Sequence, residues 1–291
     1  MKSIKKAVIP VAGFGTRFLP FTKAVPKEML PIVATPALQY IVEECVESGI
    51  NEILFIIGKN KKCIEDHFDR APELESLLKK GNKTRELDEV LKLANLAKIY
   101  FIRQKEMNGS GPAVLEAEAF VGNEPFAVLY GDDLVYSKEP CIGQIKKAFE
   151  TTGKSIVGVQ TVPKEQTYKY GIVKPGMVKG NYTELIGLVE KPAVEKAPSN
   201  LACMGRYAFT PDIFDIIKRT APGLNGETYL TDSIEIMARE SGVYAYTFEG
   251  RRYDTGDKEG YLEAVVEYAL RDERLSGPFK KYLNSIKGNL F

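Results

Sequence analysis

The residues that follow the first apolar run constrain this chain more than any other segment. Lys6 to Val11 reads as a short strand, and Ala12, Gly13, Phe14, Gly15, Thr16 and Arg17 come next, with Pro20, Pro26 and Lys27 close behind. Glycines let main-chain N–H groups approach an anion closely, while an arginine and a lysine supply charge, so the segment reads as a cradle for a polyphosphate. A nucleoside triphosphate is the substrate this suggests. Two better-known phosphate loops do not fit. A Walker loop needs GxxxxGK and then Ser or Thr, which is absent, and a dinucleotide fingerprint counted from Gly13 finds Phe18 at its third glycine. A tight turn without a ligand accounts for the two glycines but not for Arg17, Lys27 and the prolines beside them.

At 291 residues the chain can bury a large core, as one domain or a domain with an appendage. Its 40 basic and 39 acidic side chains leave a net charge of +1, so no global field draws it to nucleic acid or an anionic membrane. Charged substrates must be met by a local site. Cys45, Cys63, Cys141 and Cys203 are widely spaced without a CxxC pair, and the apolar run Ala7 to Val11 is too short for a signal-peptide core or a membrane span. Both features lead us to expect a soluble cytoplasmic protein with reduced thiols. His67 is the only histidine, so neither a Ser-His-Asp relay nor a His-rich zinc site is expected, and His67 reads as a surface or capping residue.

Strand-like runs at Lys6–Val11, Glu52–Ile57, Lys98–Ile102, Phe126–Tyr130 and Ser155–Gln160 alternate with helical segments, among them Ala37–Ser48, Pro112–Val121 and Cys141–Glu150. This β-α-β pattern predicts an α/β protein with a Rossmann-like, doubly wound sheet covered by helices on both faces. Ligands of such sheets sit at the carboxyl ends of the strands, where the loops beginning at Ala12, Arg103 and Gly131 converge. From Thr161 the pattern shifts to shorter extended pieces, Gly171–Lys174, Glu184–Glu190 and Leu201–Phe209, which read as mixed strands walling a second pocket. Near the end, Tyr261, Leu262, Val265, Val266 and Ala269 form an apolar stripe on a helix, suited to core packing or to a subunit contact.

Two acidic segments can carry chemistry. Phe126 to Leu129 leads through Tyr130 and Gly131 to Asp132 and Asp133, and a carboxylate at a strand's carboxyl end can hold Mg²⁺; an ordinary Asp-Asp turn is the equal alternative from spacing alone. Glu190 and Lys191 precede Pro192, so a carboxylate suited to sugar hydroxyls stands beside an ammonium suited to a phosphate; an exposed ion pair is the plainer reading.

Taken in order, GxGTRxxP at Gly13 to Pro20, PKEMLPI at Pro26 to Ile32, GDD at Gly131 to Asp133, EKP at Glu190 to Pro192 and YDxGD at Tyr253 to Asp257 resemble the sugar-phosphate nucleotidyltransferases. The likeness runs from about Lys6 to about Leu270 and is strongest to the members that use UTP and glucose 1-phosphate. It implies a mixed sheet of the nucleotide-diphospho-sugar transferase, glycosyltransferase-A type, with C-terminal helices. A catalytic domain 1–256 would comprise a nucleotide-binding part, 1–160, and a sugar-binding part, 161–256. A helical segment, 257–291, would offer an oligomer contact.

The resemblance further implies formation of UDP-glucose and pyrophosphate with Mg²⁺ as cofactor, in a homodimer or homotetramer. Ala12, Gly13, Gly15 and Glu28 would bind the nucleotide, with Arg17 on the leaving pyrophosphate and Lys27 on the triphosphate. Gln104 and Gly109 would meet the base, Gly171 and Glu190 the sugar, and Lys191 its phosphate. Asp132, and second to it Asp254, would hold the metal. The chain departs from its relatives at Gly109-Ser110-Gly111-Pro112-Ala113-Val114, where they usually read GLGHAV or GLGDAV. Thymidylyl transfer from dTTP and a non-catalytic sugar-nucleotide-binding subunit are the alternatives.

Overall fold

The computed structural model describes residues 3–223 and 226–286. Its strands are, in chain order, β1 (Lys6–Val11), β2 (Pro31–Ile32), β3 (Thr35–Pro36), β4 (Glu52–Ile57), β5 (Lys98–Arg103), β6 (Phe126–Leu129) and β7 (Asp133–Tyr136). They continue as β8 (Ser155–Thr161), β9 (Gly171–Lys179), β10 (Tyr182–Glu190), β11 (Leu201–Phe209), β12 (Val243–Thr247) and β13 (Arg251–Asp254). Nine form one sheet in the order β5-β4-β1-β6-β11-β8-β12-β10-β9. The first four are mutually parallel, β11 runs antiparallel to both β6 and β8, and β9 and β10 form an antiparallel pair at the far edge. The sheet is thus mixed, as expected.

Period-two alternation in β1 explains why helices cover both faces. Ala7, Ile9 and Val11 project into one core with Leu38 and Ile41 of helix Ala37–Glu47 and Ile142 and Ile145 of helix Cys141–Thr152. Val8 projects into the other, with Val114, Ile213 of helix Ile213–Arg219, and Ile234 of helix Leu230–Glu240. β1 lies between β4 and β6, so the chain leaves it toward opposite sides, and the carboxyl ends of β1 and β6 bound a crevice.

Two expectations change in detail. The helix read at Pro112–Val121 is two pieces, Ser110–Leu115 and Glu118–Val121. Pro112 sits in the first turn, where no N–H is needed, and the chain tightens at Ala117, whose N–H donates to Val114 O at 3.0 Å. The stripe from Tyr261 to Ala269 lies on helix Lys258–Arg271 but is split. Tyr261, Val265 and Ala269 pack on the core with Ala264 and Tyr268, whereas Leu262 is 61% exposed, because a step of one residue turns about 100° around a helix. A further helix, Ser276–Ile286, follows, and residues 287–291 of the expected C-terminal segment lie outside the described residues. Among the described residues no helix is long and apolar enough to cross a membrane.

A buried ionic cluster locks the sheet to the helices beneath the crevice. Arg206 of β11 is fully buried, and its Nη2 donates to Glu44 Oε2 at 2.7 Å and to Asp133 O at 2.6 Å. Glu44 Oε1 also accepts from Ile142 N at 2.7 Å, so one carboxylate joins two helices to the sheet. Removing one partner of such a pair strands the other charge in a dry interior. Glu44→Ala is therefore expected to lower the unfolding free energy by about 3–5 kcal/mol in urea titrations, and Glu44→Leu combined with Arg206→Met by clearly less.

Candidate active site

The glycine loop after β1 folds as the sequence suggests, and each glycine has a different reason. Gly15 adopts φ +65° to start the short turn Thr16–Phe18, and a Cβ there would lie 3.1 Å from Lys27 Cβ. Thr22 Oγ1 closes the loop by donating to Gly15 O at 2.8 Å. A Cβ on Gly13 would meet nothing within 4 Å, so that residue borders open space. Arg17, on the exposed side, donates from Nη1 to Gly256 O at 3.0 Å and so ties the loop to the segment after β13.

At the carboxyl end of β6 the two aspartates divide their work. Asp133 is buried: its Oδ1 accepts from Arg252 Nε at 2.7 Å and its Oδ2 from Gly205 N at 3.1 Å. Asp132 faces the crevice and forms an ion pair with Lys27. Thr255 fixes its backbone, donating from N and Oγ1 to Asp132 O at 2.8 and 2.9 Å. Asp254 converges on the same spot, since a Cβ on Gly256 would lie 2.5 Å from Asp132 Oδ2 and 3.1 Å from Asp254 Oδ1.

These surroundings set the charges. Burial alone would push the Asp132 carboxyl up, but the Lys27 ammonium and Arg252 bring it below the usual carboxylate value. For Lys27 burial works downward, and the carboxylates of Asp132 and Glu28 hold its ammonium above the ordinary lysine value. Asp254 is raised, by burial and then by Asp133, against the pull of Arg252. One carboxylate is firmly charged and its neighbour resists ionisation, which a divalent cation would relieve. Among the described residues no group of three or more His, Cys, Asp or Glu gathers to hold a metal, so at most two such side chains could ligate an ion here.

On the opposite wall, Glu190 ends β10. Its Oε2 accepts from Thr231 Oγ1 at 2.9 Å, and Lys191 Nζ stands 3.4 Å from its Oε1. Lys191 has φ +42°, a left-handed conformation strained for a non-glycine residue, and its ammonium lies 5.6 Å from the Tyr229 ring centre. Gly171 passes so close that a Cβ would lie 2.8 Å from Thr231 Cγ2 and 3.2 Å from Glu190 Oε2. On the base side, Gln104 is 6% exposed and its Nε2 has no hydrogen-bond partner, which makes it a free donor at the edge of the crevice. A Cβ on Gly109 would fall 2.2 Å from Thr228 O, so packing demands that glycine.

Two cavities result. One of about 460 Å³ is lined by Ala12, Gly13, Lys27, Glu28, Gln104 and Gly109; the other, of about 230 Å³, by Arg17, Gly171, Glu190, Lys191 and Asp254. Ser110, Tyr130 and Asp132 line both, so the cavities adjoin at these residues. The sequence-derived candidates are therefore brought together, with Gly15 shaping the loop behind them. Glu28 is 2% exposed and pairs with Lys61 at 2.9 Å. His67 corrects its reading: it is neither exposed nor a cap, but half-buried with a ring nitrogen 3.1 Å from Gln39 Oε1, and burial lowers its pKa. Thr231, Arg252, Tyr130 and Lys61 escaped the sequence reading because each acts by contact with residues distant in the chain.

A parallel-then-mixed sheet with a glycine loop, a lysine and paired aspartates at its switch point is the construction of a nucleotide-handling transferase. Residues 6–270 match the profile of the nucleotidyl transferase family, and the chain belongs to that family. It is 51% identical over 289 residues to UTP–glucose-1-phosphate uridylyltransferase 2 of Staphylococcus saprophyticus subsp. saprophyticus, an alignment that covers 99% of this chain and all of that one. Among solved structures, UTP-bound UGPase from Acinetobacter baumannii superposes with a TM-score of 0.90 at 37% identity, covering 98% of this chain and 100% of that one. A UDP-glucose pyrophosphorylase complexed with UDP-glucose superposes at 0.85 with 42% identity, covering 92% and 99%.

The Lys27–Asp132 pair makes a pH-dependent contribution whose sign is fixed by the shifts. The native Asp132 carboxyl lies below its ordinary 3.8, so the contribution is complete above that pH and is lost as pH falls through the native value. Lys27, held above 10.5, preserves it on the alkaline side to that region. A double-mutant cycle of Lys27→Met and Asp132→Asn, read by urea unfolding, is expected to show favourable coupling at about pH 7 that fades as the pH is taken below the ordinary aspartate value of 3.8.

Proposed function

We propose that the protein transfers a uridylyl group from UTP to glucose 1-phosphate, giving UDP-glucose and pyrophosphate. The observation that carries this reading is the convergence of Lys27, Asp132 and Asp254 where the two cavities adjoin, with a glycine loop on one side and Glu190 and Lys191 on the other. The names of the similar proteins, which print UTP, glucose 1-phosphate and UDP-glucose, support the choice of substrates.

In this reaction an oxygen of the sugar phosphate attacks the α-phosphorus and pyrophosphate leaves, so no protein nucleophile is needed. The work is alignment and neutralisation of two anions. Backbone groups of Ala12, Gly13 and Gly15 cradle the nucleotide, and Lys27 neutralises the triphosphate. Arg17, at the exposed rim, meets the departing pyrophosphate. The unpartnered Gln104 Nε2 offers a donor to a uracil carbonyl, with Gly109 lining the same cavity. Glu190 accepts from glucose hydroxyls beside Gly171, and Lys191 meets the sugar phosphate.

Asp132 and Asp254 suit Mg²⁺, which is commonly bound through one or two carboxylates together with substrate phosphates. When bound, the ion supplies charge neutralisation at the reacting phosphates. Residues 1–160 serve the nucleotide and 161–256 the sugar. Exposed Leu262 and Val266, on helix Lys258–Arg271, are the subunit contact of a homodimer or homotetramer, and the enzyme is cytoplasmic.

Purified protein incubated with Mg²⁺, glucose 1-phosphate and UTP is expected to release pyrophosphate, faster than with dTTP, and EDTA should stop it. Lys27→Ala and Asp132→Asn should each cut turnover by about 10²- to 10³-fold. No release with either nucleotide, despite UDP-glucose binding, would mark a non-catalytic sugar-nucleotide-binding subunit instead.

A further inference from the structure

A four-residue strap, Thr228 to Leu230 and on to Thr231, ties the base side of the cleft to its sugar side. Gly111 N donates to Thr228 O and Thr228 N to Asn108 O, both at 3.0 Å, so the loop after β5 and the strap pair through their backbones. Leu230 N donates to Ser110 Oγ at 2.9 Å, and the very next side chain, Thr231 Oγ1, donates to Glu190 Oε2 at 2.9 Å.

The geometry leaves little slack. Leu230 opens helix Leu230–Glu240, so its N–H has no acceptor within the helix, and Ser110 satisfies it from outside. Leu230 is 1% exposed and Thr231 7%, and a β-branched side chain at the start of a helix has few rotamers. At one end Thr228 O occupies the space a side chain on Gly109 would need, and at the other Thr231 Cγ2 occupies that of Gly171.

We propose that Ser110 and Thr231 are positioning residues that hold the Glu190 carboxylate from the nucleotide side of the cleft, given the assignment of Glu190 to the sugar. Thr231 acts on the carboxylate directly, and Ser110 acts through the backbone of Leu230. Without the Thr231 donor, the Lys191 ammonium beside Oε1 draws the carboxylate toward itself, and both groups leave the places where the sugar and its phosphate need them. A hydroxyl at the junction of the two cavities therefore governs grip on the sugar.

Steady-state kinetics at saturating Mg²⁺ test this. Thr231→Val keeps the shape and removes the donor, and it is expected to raise KM for glucose 1-phosphate about tenfold while leaving KM for UTP unchanged. Thr231→Ser should restore the wild-type value. Ser110→Ala should move the same constant in the same direction by a smaller factor, with a modestly lowered melting temperature because the Leu230 N–H loses its acceptor, and it keeps the test open if Thr231→Val does not fold. A rise in KM for UTP alone, or no change in either constant, would overturn the proposal while leaving the activity of the wild type, and hence the proposed function, standing. If the wild type releases no pyrophosphate, the catalytic reading fails separately. Calorimetry with UDP-glucose then decides, with about tenfold weaker binding by Thr231→Val expected and equal binding fatal.

Discussion

The Lys27 ammonium against the Asp132 carboxylate is the contact around which the rest of the site is arranged. It joins the loop that follows β1 to the end of β6, across the crevice made where the chain leaves β1 toward opposite sides. Each member would be costly alone in this half-buried place, and together they preload the crevice with opposite charges that an incoming metal–phosphate pair can take over in kind. Arg17 and Thr255 then brace the two sides of the same gap, one through Gly256 O and the other through Asp132 O.

That arrangement stands on a second, largely buried set of charges. Arg206 spans Glu44, below, and the carbonyl of Asp133, above, while Arg252 holds the Asp133 carboxylate. The backbone at Asp132 is thus pinned from its own neighbour and by Thr255, while its pocket-facing carboxylate is engaged by Lys27. Adjacent residues of one type have opposite fates because a strand's end points them to different sides.

Much of this was legible in the sequence, and particular residues show why the rest was not. β1, β4 and β11 fall where apolar runs bounded by turn residues place them, because buried strands are written locally. The loop candidates from Ala12 to Lys27, with Asp132 and Glu190, could be named because glycines and charges stand out against apolar strands, and the family's motif order joined them and supplied Gln104. Of the helices inserted between β4 and β5, Pro72–Lys80 and Thr84–Ala94 went unread. The last of them carries an apolar stripe at Leu87, Val90, Leu91 and Ala94, yet buries no residue completely. Arg206 and Glu44 are 162 residues apart and look like ordinary charges until the fold removes water from both. Thr231 gave no signal for a similar reason, its meaning lying in a carboxylate 41 residues away.

β11 carries a consequence for how the protein must move. It pairs with β6 on the nucleotide side and with β8 and β9 on the sugar side, so the two binding regions are parts of a single hydrogen-bonded slab. A hinge between them would have to tear a main-chain ladder, which places such a motion far above thermal reach. Entry of substrates and escape of products therefore fall to the connections at the rim, chiefly the turns between Ala12 and Pro26. The sheet itself works as an anvil.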